Sequence, residues 1–179
     1  PSNDVVKLNT TYWLIPTEDA VKDHVLKVIM DIVNNYDIDG IHMDDYFYPY
    51  PSECPNEQFP DQDFYKKYNS NGGNDTIEEW RRSHVNSFIK DLQKEKKQAK
   101  PYVKFGISPF GIWRPGHPQG IEAGVDSYEQ LAADSKKWIK QGVIQKSSTP
   151  HRTNNLFKII ITVVIIIIIL LIILFIVKF

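Results

Sequence analysis

Two adjacent aspartates, Asp44 and Asp45, follow a short apolar stretch in the segment DGIHMDDYFYPYP, residues 39 to 51. The segment predicts a β-strand from Gly40 to Asp44, along which side chains alternate, so His42 and Asp44 share one face. A carboxylate at the open end of a strand can be presented to a substrate, whereas one buried within the strand would be strongly penalised. The alternative is that both aspartates only end the strand and cap backbone amides.

Aromatic residues accompany these carboxylates. Tyr46 and Tyr48 follow directly, and Trp113 with Arg114 occupies a later loop. Aromatic rings beside a carboxylate make platforms on which the apolar faces of sugar rings stack. The same residues also serve as ordinary loop packing, so we hold both interpretations open.

The elements that must position these residues alternate between helices and strands. We predict a first helix capped by Thr17, whose apolar stripe consists of Val21, Val25, Val28, Ile29 and Ile32. The strand at Gly40–Asp44 comes next, and then a loop from Tyr46 to Asp75 that is too polar and too rich in proline for regular structure.

The second half of the chain repeats this order. Thr76 and Glu79 form a capping box for a helix that buries Val85, Phe88, Ile89 and Leu92. The strand VKFGIS, ending at Ser108, and a Gly- and Pro-rich loop follow. A third capping box, Ser127 with Gln130, then opens a helix that ends at Gly142. This alternation predicts a parallel α/β fold, and both long loops follow strands, where (β/α) barrels place their active sites.

The composition narrows the function classes. The 179 residues carry a net charge of −1, which does not point to nucleic acid. Cys54 is the only cysteine, so no internal disulfide is expected. Two carboxylates and one histidine in HMDD are weak evidence for a metal, and we predict neither a metal nor a cofactor. The oligomeric state is left open.

The C-terminal segment from Ile159 to Val177 is apolar except for Thr162 and long enough to span a membrane as a helix. It lacks the aromatic belt and small residues typical of membrane helices, and its basic flank would leave the globular part in the cytoplasm. We favour a frameshifted or misjoined reading frame, with a genuine anchor as the alternative. The expected domains are 1–145, a linker at 146–157 and a hydrophobic helix at 158–179.

Three segments, YDIDGIHMDDYFYPYP, WRRSHVNSFIKDL and VKFGISPFGIWRP, resemble the glycosyl hydrolase-like 10 family of bacterial (β/α)8-barrel proteins. The similarity runs from about Pro16 to Gly142 and implies roughly half of a TIM barrel. It also implies hydrolysis of a bacterial glycan, with peptidoglycan strands as one substrate, and a location in the cell envelope or outside the cell.

For such a reaction we assign roles to the candidate residues. Asp44 would be the nucleophile or general base, His42 and Ser108 would bind sugar hydroxyls, and Trp113 would stack on a sugar ring. Glycoside hydrolysis usually needs two carboxyl groups, ~5 to 5.5 Å apart for retention and ~6.5 to 9.5 Å for inversion. Asp45, Glu122 or a residue on another strand is the candidate partner. Because barrel sites draw on several strands, we expect this chain alone to be inactive.

Two other functions stay open. The first is a carbohydrate-binding module without turnover, which would explain why no second acid can be assigned. The second is a membrane-anchored interaction protein, whose function would depend on the apolar C-terminal segment alone. Binding of a glycan without release of product would favour the first of these. Unchanged fractionation after deletion from Leu156 onward would exclude the second.

Overall fold

The computed structural model describes residues 4–144 and shows a mixed α/β protein. The predicted linker at 146–157 and hydrophobic helix at 158–179 lie outside these residues. The strands are β1 (Val5–Lys7), β2 (Tyr12–Leu14), β3 (Gly40–Asp44) and β4 (Lys104–Ser108). The helices are α1 (Asp19–Asn35), α2 (Gln62–Ser70), α3 (Ile77–Ala99), α4 (Ser127–Gln130) and α5 (Ser135–Lys140).

Strands β3 and β4 pair in parallel, as the alternation of elements predicts, with Gly40 opposite Lys104 and Asp44 opposite Ser108. Ile41 and Met43 are buried in the core, whereas His42 and Asp44 alternate with them on the other face. The same core cluster contains residues of both long helices, Leu26, Ile29, Val33, Val85, Ile89 and Leu92. One face of the β3–β4 pair is therefore covered by α1 and α3, and the carboxyl ends of both strands lie at one edge.

An antiparallel hairpin precedes this unit and was not predicted from the sequence. Strands β1 and β2 pair with Val6 opposite Trp13, and the Leu8 amide donates to the Thr11 carbonyl at 2.7 Å within the turn. The amide of Asn9 also donates to the carbonyl of Glu53, at 3.4 Å. The hairpin thus lies against the loop that follows β3.

Helix α1 begins later than predicted. Its first residue is Asp19 and its N-cap is Glu18, which makes no side-chain capping bond, whereas Thr17 is buried. The buried face consists of Val21, Leu26, Ile29 and Val33, which is rotated from the predicted stripe. The cap prediction is wrong because the Thr17 side chain lies in the protein interior.

The predicted loop from Tyr46 to Asp75 is wrong in part, since it contains α2. This helix is mostly polar, so the sequence gives little apolar periodicity. Its aromatic side chains find their partner in α3 instead, with the ring centroids of Tyr65 and Tyr68 lying 5.4 and 5.7 Å from that of Trp80. A tertiary contact stabilises this helix.

The predicted helix from Ser127 to Gly142 is interrupted. Asp126 and Asp134 are the N-caps of two short helices, α4 and α5, and each accepts a bond from the amide three residues on. Between them Ala132 has a φ of 54°, which ends α4. The proposed box of Ser127 and Gln130 is therefore wrong by one position, because Asp126 takes the capping role.

The architecture agrees with the predicted α/β class, but the described strands form two separate two-stranded sheets. A (β/α)8 barrel stays a prediction. Among residues 4–144, no helix combines the length and apolar character needed to cross a membrane.

The capping box of α3 is confirmed and supports a stability prediction. The Thr76 hydroxyl accepts from the Glu79 amide at 3.2 Å, and the Glu79 carboxylate accepts from the Thr76 amide at 3.1 Å. We expect Thr76→Ala to lower the free energy of unfolding by about 1 kcal/mol, since the Glu79 amide loses its side-chain acceptor. Urea denaturation followed by circular dichroism measures this, with exposed Thr11→Ala as the control.

Candidate functional site

The carboxyl ends of β3 and β4 bring together polar residues from both strands. The imidazole Nε2 of His42 lies 2.6 Å from the Ser108 hydroxyl oxygen, at hydrogen-bond distance. Gly106 faces His42, and a Cβ atom there would lie 3.0 Å from the imidazole Nδ1. The glycine leaves room for the ring, so the imidazole can lie across β4 and reach Ser108.

Asp44 and Asp45 occupy the end of β3 and the bend that follows. Both side chains are partly exposed, and the Phe47 amide donates to the Asp45 carbonyl at 2.8 Å as the chain turns. Partial burial raises the pKa of Asp45 above its usual value, and the charge of Asp44 adds to the increase. Asp45 therefore keeps its proton to a higher pH than a free aspartate, which suits a general acid.

Four aromatic rings follow one another at the same edge, and we call Trp13, Tyr46, Tyr50 and Phe110 the rim aromatic row. Ring centroids lie 6.4 Å apart between Trp13 and Tyr46, 5.1 Å between Tyr46 and Tyr50, and 6.1 Å between Tyr50 and Phe110. Burial, the hydrogen bond with Tyr46 and the charge of Asp45 raise the pKa of Tyr50 to about 12. Asp45 directly precedes Tyr46 in the chain, so it lies beside the row.

Trp13 and Phe110 were not singled out from the sequence. Trp13 comes from strand β2, and Phe110 from the segment just after β4. No spacing in the sequence joins Trp13 to Tyr46, because only the hairpin brings them together. Phe110, two residues after Ser108, could have been noticed as an aromatic at a strand end.

Tyr48 does not reach this site. Its side chain is 1% exposed, packs edge-to-face on Phe59 with centroids 5.0 Å apart, and has the Arg81 guanidinium 5.3 Å from its ring. Burial raises the pKa of its hydroxyl well above the usual value. In the structure, Tyr48 is a core residue beneath the loop and makes no surface for a substrate.

Trp113 and Arg114 form a second cluster with α4. Arg114 pairs with Asp126 at 3.2 Å and with Glu129 at 2.8 Å, and Arg82 of α3 also pairs with Glu129, at 2.9 Å. The Trp113 ring packs edge-to-face on Tyr128 with centroids 5.0 Å apart. These contacts anchor the loop after β4 to the helices, and a role of either residue in binding a substrate stays a prediction.

The site therefore contains His42, Asp44, Asp45 and Ser108 at the strand ends, with Tyr46 beside them. Glu122 lies exposed in the loop after β4, and its role as the partner acid stays a prediction. Across the described range 4–144, no three His, Cys, Asp or Glu side chains gather in a way that could hold a metal ion.

In (β/α) barrels the active site lies at the carboxyl ends of parallel strands. Carboxyl groups are the residues that glycoside hydrolysis uses. The family model described as Glycosyl hydrolase-like 10 matches residues 3–148, and the chain belongs to this family. The resemblance drawn from the sequence is confirmed.

Named relatives agree with this membership. The chain is 46% identical over 133 residues to glycosyl hydrolase YngK of Bacillus subtilis. This alignment covers 72% of the chain and 26% of the relative. The chain is 33% identical over 136 residues to glycosyl hydrolase DigH of Escherichia coli K12. This alignment covers 74% of the chain and 30% of the relative. The aligned part thus spans between a quarter and a third of these relatives.

Proposed function

We propose that this chain is part of a glycoside hydrolase that cleaves O-glycosidic bonds of a bacterial glycan, with peptidoglycan glycan strands as the substrate. One observation carries the proposal. The parallel register of β3 and β4 sets Asp44 opposite Ser108 at the carboxyl edge, where His42 and Asp45 also lie. Membership of a glycosyl hydrolase-like family supports the reaction class. The substrate comes from the family resemblance.

The two aspartates take different roles in this proposal. Asp45, whose pKa partial burial raises, would be the general acid that donates a proton to the glycosidic oxygen of the leaving sugar. Asp44 acts at the anomeric carbon, either by direct attack or by removing a proton from the attacking water. A residue on a further strand of a complete barrel remains the alternative partner for Asp44.

The His42–Ser108 pair would orient the sugar. A hydroxyl group both donates and accepts, so Ser108 retains hydrogen-bonding capacity for a substrate hydroxyl after bonding His42. The bond also fixes the rotamer of Ser108, which lowers the entropy lost when a sugar binds. Both residues lie on the face opposite the α1–α3 layer, where His42 is half-buried and Ser108 is exposed.

The second candidate is a carbohydrate-binding protein without turnover. The segment after β4 reads SPFG and supplies no carboxylate, which leaves Asp45 as the acid nearest to Asp44 in the chain. If the two groups are not arranged as acid and base, the same edge would bind a glycan and release it unchanged.

One experiment separates the two functions. The matched segment of the Bacillus subtilis relative is replaced by this chain's residues, and purified glycan strands free of stem peptides are supplied. We expect new reducing ends, because this chain matches only 26% of the relative and barrel sites draw residues from several strand ends. A folded hybrid that retains glycan strands in a pull-down yet releases no reducing ends would instead establish the binding function.

We also propose that the protein lies in the cell envelope or outside the cell, because the proposed substrate is in the bacterial wall. Attachment to a membrane would depend on Ile159 to Val177, which lie outside the described residues.

A further inference from the structure

Residues 115–125, which we call the 115–125 loop, form a segment whose two ends are held together. Arg114, just before the loop, pairs through its Nε with a carboxylate oxygen of Asp126, just after it, at 3.2 Å. The hydroxyl of the buried Ser127 also donates to the Trp113 carbonyl, at 2.8 Å. Surface loops closed at their ends in this way are frequently functional.

The closed base of the loop is fixed to helix α3 through one shared carboxylate. Glu129 of α4 pairs with Arg114 at 2.8 Å through one oxygen and with Arg82 of α3 at 2.9 Å through the other. The guanidinium carbons of Arg82 and Arg114 also lie 3.8 and 5.0 Å from the centroid of the Tyr128 ring. Because Arg82 is only 6% exposed, this network ties the loop to the protein interior.

We propose that Arg114 is a positioning residue, which holds the 115–125 loop in place by closing its base and does not itself bind the glycan. The inference deepens the proposed function, since the loop follows Ser108 in the chain and carries Glu122, a candidate partner acid.

The charges of the network support this role. Two arginines, Arg82 and Arg114, face two carboxylates, Asp126 and Glu129, so the network has no net positive charge for a substrate. An anionic group of a glycan would have to compete with both carboxylates for Arg114, and charge-assisted bonds of this kind are strong. The arginine is therefore better suited to fixing the loop than to binding a ligand.

Hydrogen exchange in the full 179-residue chain tests the closure of the loop. The reporters are the amides of Gly116 and Ile121, which donate to the Ile121 and Pro118 carbonyls at 2.7 and 3.2 Å. We expect Arg114→Gln to speed their exchange by ~5-fold or more, because an open base makes the loop locally less stable. The matched control is Lys140→Gln, which removes an exposed positive charge from α5 and should leave the exchange unchanged.

Glu129→Gln distinguishes positioning from substrate binding. The new amide has one acceptor oxygen instead of two, so only one of the two arginines keeps its bond, while Arg114 keeps its charge. We expect this variant to speed the exchange of both reporters as well. In the hybrid enzyme, Arg114→Gln and Glu129→Gln should each lower kcat by ~10-fold with little change in KM, because the loop is misplaced.

The outcomes separate this inference from the proposed function. Exchange at the unaltered rate in both variants would overturn the inference, as would an unchanged kcat of both variants in an active hybrid. A raised KM for Arg114→Gln with normal kinetics for Glu129→Gln would instead show that the arginine binds the substrate directly. If the unaltered hybrid releases no reducing ends, the hydrolase proposal fails, and hydrogen exchange alone decides whether Arg114 holds the loop.

Discussion

Asp44→Asn is expected to lower the rate of glycan hydrolysis by ~10²–10⁴-fold, the contribution of a positioned acid or base. The change keeps the size of the side chain and removes its charge. Asp44 is the last residue of β3 and lies opposite Ser108 at the carboxyl edge. A substrate bound at that edge would therefore contact the Asp44 carboxylate. Reducing-end assays on the hybrid enzyme with and without the substitution measure the effect.

A matched control lies at the other end of the same strand. Asp39 immediately precedes β3 and is exposed, and its carbonyl accepts from the Lys104 amide at 2.9 Å. Asp39→Asn should leave the rate unchanged, because the amino edge of parallel strands lies away from the proposed site. An Asp44→Asn hybrid that folds and cleaves at the unaltered rate would remove Asp44 from the reaction.

The positions of His42, Asp44 and Ser108 were predictable because they depend on the local sequence and on a general rule of topology. The alternation of side chains along GIHMD assigns His42 and Asp44 to one face from the sequence alone. The structure has the same alternation in burial, and the strand ends at Asp44 as predicted. Parallel pairing then follows from the helix between the strands, and it places Ser108 opposite Asp44. Each step depends on residues close together in the chain or on a general rule of topology.

The surrounding loops were less predictable because distant contacts decide them. Tyr46 and Tyr48 are of the same type and two positions apart, yet one is exposed and the other lies in the core. In a strand they would share a face, but here the chain turns after Asp45 and loses that alternation. Likewise Trp13 joins the site only through the β1–β2 hairpin.

Removal of one partner of the ion pair between Asp61 and Arg81 is expected to destabilise the loop after β3 strongly. Asp61 is fully buried at the N-cap of α2, and its carboxylate accepts from the Arg81 Nε at 2.9 Å and from a second guanidinium nitrogen. Burial alone would lower the pKa of Arg81, but the hydrogen bond and charge of Asp61 outweigh it and raise that pKa. Arg81 keeps its charge in any case, so Asp61 compensates a guanidinium that is only 16% exposed.

Asp61→Ala is expected to lower the free energy of unfolding by about 3–5 kcal/mol, because it leaves the arginine charge buried without compensation. This is a large share of the roughly 5–15 kcal/mol typical of a whole domain. Urea denaturation monitored by tryptophan fluorescence measures the change. The matched control is Asp63→Ala, since Asp63 pairs with Lys66 on the exposed surface of the same helix and should give no measurable loss.

A double substitution tests whether the buried charge is the cause. Arg81→Met combined with Asp61→Leu removes both charges and keeps apolar volume beside Tyr48, so it should recover most of the stability that Asp61→Ala loses. If the double variant is as unstable as Asp61→Ala, the loss comes from packing around α2 and not from an uncompensated charge. Recovery would instead show that the pair can be replaced as a unit, because a buried ion pair contributes little beyond compensating its own desolvation.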